Sequence, residues 1–179
     1  MRGSAFRLLG LMLLLGLLVG VVTSGARSSS EVWQDPASGL TWQVNPTGGK
    51  MGWSGAKEHC KSLSASGFHD WRLPTISELR TVIRGCAGAQ TGGSCGVTDS
   101  CPRLSCVNDV CSGCPSKRGP GPEGRYWPAE LAGEGGWYWS SSAVVDYGRT
   151  AWGVDFDYGS VHDLTDYPDA IYFPARCVR

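Results

Sequence analysis

The sequence lacks most of the signatures that mark an enzyme or a nucleic-acid-binding protein. Its only histidines are His59, His69 and His162, and none of them forms the closely spaced pair of a zinc protease helix. Basic and acidic side chains balance at 16 each, so the basic excess that nucleic-acid binding requires is missing. We therefore expect a protein that has no catalytic residues and no nucleic-acid partner.

The chain also lacks an apolar run long enough to be read as an ordinary membrane span. Arg2 and Arg7 precede an apolar run over residues 8–22, and small residues up to Ala26 follow it. As a helix, this run would measure roughly 22 Å, against about 30 Å for the core of a bilayer. The pattern predicts an export signal, residues 1–26, that is cleaved after Ala26. An uncleaved membrane anchor is the alternative.

The remaining residues, 27–179, are predicted to form one domain without a transmembrane span. All eight cysteines lie in this part, and an even number of cysteines in an exported chain predicts four disulfides. The first of them is Cys60, so no cysteine lies near the cleavage site for lipid attachment. We expect a secreted, periplasmic or cell-surface protein that is not a lipoprotein.

Local patterns predict two helices in the first half of this domain. Residues 53–63 carry apolar side chains at helical spacing, and Ser54 is the predicted N-terminal cap. Thr75 and Glu78 form a capping-box pattern, which predicts a second helix of about ten residues that ends at Gly85.

Short strands are predicted on both sides of these helices. Alternating or β-rich segments occur at residues 40–44, 137–142, 151–157 and 175–179. Two early helices combined with short antiparallel strands indicate an α+β domain.

Residues 85–124 differ in composition from the rest of the domain. They contain nine glycines, four prolines, no aromatic residue and six cysteines, namely Cys86, Cys95, Cys101, Cys106, Cys111 and Cys114. So few apolar side chains cannot build a core, and we predict a loop insertion held by three internal disulfides, whose connectivity has 15 options. Cys111 and Cys114 also have the spacing of a redox pair or half a zinc site, but the irregular gaps between the other cysteines favour disulfides.

Several motifs, in order, resemble the Lcl C-terminal domain family of bacteria. They lie at residues 38–43, 70–79, 139–142, 151–159 and 176–179. The resemblance implies a C-type-lectin-like fold, in which two helices flank small sheets and the first and last strands pair. The segment at 70–79 also resembles the formylglycine-generating enzyme superfamily, which shares this architecture.

The resemblance also implies roles for two parts of the chain. The segment Asp70–Thr75 would form the turn into the second helix, with Trp71 in the core and Arg72 as a local anchor. C-type-lectin-like domains commonly join the first helix to the last strand by a disulfide, which implies a bridge between Cys60 and Cys177. These two are also the cysteines that remain if the other six pair among themselves.

A candidate ligand surface can be assigned only by residue type. It comprises Trp139, Ser140, Ser141, Asp155 and Asp157. Asp155 and Asp157 stand two residues apart on a predicted strand and would point the same way, which makes them a weak calcium candidate. A solvated acidic face is the alternative, and we expect neither a metal nor another cofactor. The Glu-Pro-Asn-like triplet of calcium-dependent sugar-binding lectins is absent.

Together these patterns predict an exported, non-catalytic binding or adhesion module. Its partner would be a glycan or a component of the cell surface or envelope. Two alternatives remain: an enzyme on the formylglycine-generating architecture, which would need a free thiol or a metal-bound cysteine pair, and a purely structural envelope protein.

Overall fold

The computed structural model describes residues 31–165 and 172–179, and the predicted export signal lies outside this part. Within these two ranges the fold is α+β, with two α-helices, α1 (Trp53–Ser62) and α2 (Ile76–Thr81). Seven strands accompany them: β1 (Val32–Gln34), β2 (Thr41–Gln43), β3 (Lys50–Met51), β4 (Trp137–Ala143), β5 (Thr150–Asp155), β6 (Ser160–Thr165) and β7 (Phe173–Pro174). Within the described ranges, no helix has both the length and the apolar character needed to cross a membrane.

All strand pairs are antiparallel, and the largest sheet has the order β4-β5-β6. Its central strand β5 is buried along its whole length, because the sheet has a core on each face. Trp152 and Val154 pack into the larger core, which α2 also lines. Ala151 packs into a smaller core with Ala56 and Cys60 of α1. The sheet therefore separates the two helices.

The last two residues form backbone hydrogen bonds with two different segments, β2 and the turn that precedes α2. Arg179 and Thr41 exchange two backbone hydrogen bonds of 3.0 Å, and Val178 and Arg72 exchange two of 2.9 Å. The two ends of the described domain therefore meet, although the last residues pair with β2 and not with β1. The regular strand β7 lies earlier than the predicted strand at 175–179 and pairs with β3.

Of the two predicted N-terminal caps, that of α1 is wrong and that of α2 is present. Gly52 precedes α1 without a side-chain hydrogen bond, so Ser54 lies within the helix and does not cap it. The capping box of α2 is present: Glu78 N donates to Thr75 Oγ1 over 3.2 Å, and Thr75 N donates to Glu78 Oε2 over 2.9 Å.

Helix α2 is shorter than predicted. Its last residue is Thr81, and the backbone N–H of Arg84 donates to the Tyr126 carbonyl, 3.0 Å away, instead of continuing the helix. Val82 and Ile83 nevertheless remain fully buried in the turn that follows. The apolar periodicity therefore marked the buried face correctly but not the end of the helix.

All eight cysteines form disulfides, and the four bridges are nested one within another. Cys60 is joined to Cys177 with a Cα–Cα distance of 5.4 Å, which fastens α1 to the C-terminal segment. Inside this ring lie Cys86–Cys114, Cys95–Cys111 and Cys101–Cys106, in that order from the outside inwards. No cysteine is free.

The composition of the insertion at 85–124 suggested that disulfides alone hold it, but buried residues also attach it to the core. Ala89 and Val97 are fully buried in the larger core together with the cystine Cys95–Cys111. The buried guanidinium of Arg80 on α2 reaches into the insertion. It donates to the carbonyls of Ala89 (2.7 Å), Gln90 (3.0 Å) and Val97. A few small apolar residues and one arginine thus attach the insertion to the core.

Candidate functional site

The structure buries part of the predicted ligand surface. Trp139 is fully buried on β4, and its indole N–H donates to the Met51 carbonyl over 2.8 Å. Ser140 is also fully buried, and its hydroxyl donates to the Trp152 carbonyl over 2.6 Å. Both side chains hold β4 in the fold and cannot contact a ligand at the surface, so the prediction is wrong for these two residues.

The next two serines differ in their surroundings. The Ser142 hydroxyl accepts from the Ile76 N–H at the start of α2 and donates to Asp99, with both distances at 2.9 Å. The backbone N–H of Ser141 donates to the Pro74 carbonyl over 2.7 Å. Its hydroxyl, in contrast, has no hydrogen-bond partner within residues 31–165 and 172–179, and Ser141 lines an open cleft.

We call this cleft the cationic cleft. Its volume is about 570 Å³, and it lies between α1, the turn into α2 and β4. Its lining residues are Lys57, Lys61, Trp71, Arg72, Leu73, Thr75, Glu78 and Ser141. The lining thus contains three basic side chains and one carboxylate.

One basic side chain of the cationic cleft is neutralised and two are not. Arg72 makes two hydrogen bonds of 2.6 Å to the Glu78 carboxylate, and this contact raises the pKa of Arg72. Burial alone would raise the pKa of Glu78, but hydrogen bonds from Arg72 and Thr75 hold it below its usual value. Lys57 lies 3.7 Å from the Trp53 ring centroid. Neither Lys57 nor Lys61 contacts a carboxylate of the described chain.

The two predicted calcium ligands lie elsewhere, near the opposite end of β4. Asp155 pairs with Trp137, the first residue of that strand, which is four residues from Ser141 and thus about 13 Å away. Burial raises the pKa of Asp155, and its carboxylate accepts the Asp157 N–H over 2.8 Å. The five predicted residues therefore do not form one surface.

Asp157 has basic partners already. Lys117 Nζ lies 2.5 Å from its carboxylate, and Arg125 Nε lies 4.0 Å from it. Among the described residues, no group of three or more acidic, histidine or cysteine side chains is arranged to hold a metal ion. Calcium binding remains a weak prediction from the sequence.

A comparison with protein families adds an independent result. The model of the Lcl C-terminal domain matches residues 31–179, nearly the whole of the predicted exported part. The chain belongs to the Lcl C-terminal domain family. A search of curated proteins found no match to this chain.

The Asp70–Thr75 motif of this Lcl C-terminal domain has the structural role that the resemblance implied. Asp70 accepts from Arg179 at 2.7 Å, which lowers the pKa of that carboxyl, and so ties the turn to the C-terminus. Trp71 is 2% exposed, and Arg72 binds Glu78 of the capping box. The same motif also supplies part of the lining of the cationic cleft.

One motif of the Lcl C-terminal domain was overlooked in the sequence. Residues 92–96 read Gly-Gly-Ser-Cys-Gly, which has the letters of the nucleophile turn of α/β-hydrolases. In the structure, no strand leads into it and no helix follows it, and Cys95 is held in a disulfide. The strand–turn–helix context that exposes such a serine is therefore missing from this segment.

Sequence reasoning also missed the two lysines of the cationic cleft. A signal for them was present, because Lys57 and Lys61 stand four residues apart on a predicted helix and so share one face. What the sequence could not show is that the turn at Trp71 and the end of β4 would enclose that face.

Proposed function

We propose that this Lcl C-terminal domain is an exported, non-catalytic binding module that recognises a negatively charged glycan or envelope polymer through the cationic cleft. The observation that carries the proposal is the pair Lys57 and Lys61, two basic side chains in one cleft without a carboxylate partner in the described chain. Two positive charges held close together attract an anionic ligand and raise its local concentration.

The other lining residues of the cationic cleft suit a polar ligand of moderate size. A volume of about 570 Å³ lies within the usual range for small-ligand sites. The Ser141 hydroxyl is available as a donor and acceptor. Sugars carry many hydroxyl groups that can pair with this hydroxyl.

Three features support a C-type-lectin-like architecture. The chain ends meet through β2 and the C-terminal residues, two helices accompany small antiparallel sheets, and Cys60–Cys177 joins the first helix to the C-terminal segment. The four disulfides support export to an oxidising compartment.

The absence of a free thiol supports a non-catalytic role. An enzyme on the formylglycine-generating architecture would need a reactive thiol or a metal-bound cysteine pair, and all eight cysteines form disulfides. Thiol titration of the denatured, unreduced protein should therefore find no reactive cysteine. One or more free thiols would favour the enzyme.

Export itself predicts a defined N-terminus. Cleavage after Ala26 would leave Arg27 as the first residue, because small residues occupy the cleavage positions behind the apolar run. N-terminal sequencing of the exported protein should begin at Arg27. Recovery of the intact Met1 terminus in a membrane fraction would contradict cleavage.

Binding is tested with a glycan array and two matched variants of the exported domain. One variant replaces both cleft lysines, Lys57→Gln and Lys61→Gln, and the other replaces two exposed arginines elsewhere, Arg118→Gln and Arg149→Gln. Both variants lose two positive charges. We expect the first to lose binding to anionic glycans at least about tenfold and the second to retain it, since losing about 1.4 kcal/mol weakens affinity tenfold.

Two outcomes would contradict the proposal. Equal losses in both variants would show that only the net charge of the domain matters. Binding by neither the parent nor the variants, on an array that includes anionic envelope polymers, would favour a purely structural envelope protein.

A further inference from the structure

We propose that two neighbouring clefts, which share Asn45, form a second binding site of different chemistry, for a neutral, hydroxyl-rich ligand such as a short uncharged oligosaccharide. We call it the Asn45 site. The two clefts are lined by residues 43–50 on one side and by residues 132–134 on the other. None of these residues lines the cationic cleft.

The first cleft of the Asn45 site has a volume of about 380 Å³, and its polar groups are mostly uncharged. Amide and hydroxyl side chains dominate its polar lining, which consists of Glu31, Gln43, Asn45, Thr47 and Ser64. Its only charged group, the Glu31 carboxylate, already accepts from the N–H and the hydroxyl of Ser66, 3.2 and 3.1 Å away. Such a set offers both donors and acceptors to hydroxyl groups.

Gln43 gives this cleft a fixed polar group. Its side chain is 3% exposed, and its Nε2 donates to Thr47 Oγ1 over 2.9 Å. Thr47 Oγ1 in turn lies 3.3 Å from His59 Nε2, and Gln43 Oε1 accepts from the Cys177 N–H over 3.4 Å. These contacts hold the amide in one orientation at the cleft. Asn45 is exposed, and its side-chain amide has no partner within the described ranges.

The second cleft, of about 500 Å³, has no net charge in its described lining. Its two charged residues, Lys50 and Glu134, pair with each other at 3.3 Å. The hydroxyl of Tyr138 donates to the Glu134 carbonyl over 2.6 Å. Unlike the cationic cleft, the Asn45 site therefore has no unpaired basic side chain in its described lining, and nothing in it selects an anion.

Buried Arg176 joins the two walls of the Asn45 site, residues 43–50 and residues 132–134, by hydrogen bonds. This side chain is fully buried, and its guanidinium donates to the carbonyls of Gln43 (2.8 Å), Val44 (2.5 Å) and Ala132 (2.6 Å). The same two loops touch at the surface, where a Cβ at Gly133 would lie only 2.7 Å from Pro46 Cδ. The two walls are thus fixed before a ligand arrives, which reduces the entropic cost of binding.

The test is a titration of the isotope-labelled exported domain, followed by NMR, with cellobiose, maltotriose and N,N′-diacetylchitobiose as neutral probes. We expect at least one probe to shift the side-chain amide signals of Asn45 and Gln43. Asn45→Ala removes a free amide, and Ala132→Trp fills the first cleft from an exposed position. Each should weaken binding at least about tenfold, since losing about 1.4 kcal/mol changes affinity tenfold.

The cleft lysines provide the control that separates this site from the proposed function. The variant Lys57→Gln with Lys61→Gln should bind the neutral probe like the parent, whether or not the cationic cleft binds an anionic glycan. The inference is overturned if none of the three probes at millimolar concentration shifts either amide. It is also overturned if binding survives both Asn45→Ala and Ala132→Trp in folded protein.

Discussion

The three-stranded sheet and the cysteine-rich insertion are stabilised in different ways. The sheet is covered on both faces, and its central strand is buried along its whole length by tryptophan and aliphatic side chains. The insertion has no aromatic residue and uses three disulfides together with the carbonyl contacts of Arg80. One chain thus combines burial, where large apolar residues are available, with covalent and polar cross-links where they are not.

The two regions join at the turn between β5 and β6. The Cys114 N–H donates to the Tyr158 carbonyl over 2.8 Å, and Tyr126 N–H donates to the Phe156 carbonyl over 2.8 Å. Gly113 is required at this join, because a Cβ there would lie 2.4 Å from the Tyr158 carbonyl oxygen. The C-terminal part of the insertion and the residue Tyr126 that follows it are therefore anchored to the sheet, and the following predictions test how independent the two regions are.

The largest expected effect is the loss of the outermost bridge, which spans both regions. Replacing Cys60 and Cys177 with Ala opens a ring with a sequence separation of 117. The chain-entropy model gives about 4 to 5 kcal/mol for a loop of this size, so the free energy of unfolding should fall by several kcal/mol. Thermal denaturation measures the loss, and peptide mapping should find the three inner bridges intact. A variant as stable as the parent would contradict this view of the bridge.

The bridges inside the insertion should matter in the order of their loop sizes. Cys86–Cys114 has a sequence separation of 28 and Cys101–Cys106 one of 5, for which the same model gives about 3.5 and about 2 kcal/mol. Burial should increase this difference in stabilisation, because Cys86 is 2% exposed whereas Cys101 and Cys106 are half-buried. Paired Cys→Ser variants, compared by urea denaturation, test this order. A larger loss for the inner pair would reverse the interpretation.

Arg80→Met should loosen the insertion while leaving the sheet ordered. Three buried carbonyls lose their donor, and we expect a loss of about 2 to 3 kcal/mol. Arg84→Met is the matched control, because Arg84 binds Asp35 and nearby helix carbonyls but no carbonyl of the insertion beyond residue 85. Hydrogen exchange should accelerate in residues 89–97 only for Arg80→Met. Equal acceleration in β5 would show that the two regions unfold as one unit.

The smallest effect is expected in the sheet, at the end of β5. Burial raises the pKa of Asp155 above its unfolded value of 3.8, so its ionised form opposes folding. The penalty is absent at pH values well below 3.8, and it grows as the pH rises through the raised pKa. Asp155→Asn should therefore raise the melting temperature at pH 7 and not at pH 3. Added calcium that stabilises the parent but not this variant would revive the calcium hypothesis.

The sequence predicted the features that depend on local spacing or on the family resemblance. The capping box at Thr75 and Glu78 follows from local spacing, and the pairing of Cys60 with Cys177 followed from the family resemblance. The end of α2 was not predictable, because it depends on a hydrogen bond from Arg84 to Tyr126, more than forty residues away. Trp139 and Ser140 were misassigned for a similar reason: residue type alone does not show that both faces of the sheet are covered by a core.

The two buried arginines are a further feature that the sequence alone could not predict. Arg80 and Arg176 have no carboxylate partner among the residues that the structure describes and instead donate to backbone carbonyls of other segments. Burial lowers the pKa of Arg176 to about 10. Basic residues are almost never fully buried without a partner, so composition alone assigns both to the surface. Only the assembled fold shows the carbonyls that they bind.

The nested order of the disulfides has a consequence for what a protease does to the chain. A peptide bond cut between residues 101 and 106 would lie inside all four rings, so four covalent links would still join the two fragments. A cut in β5, outside the insertion, would leave one link, Cys60–Cys177. The segment that is poorest in apolar residues is thus also the one where a nick does the least damage to the integrity of the chain.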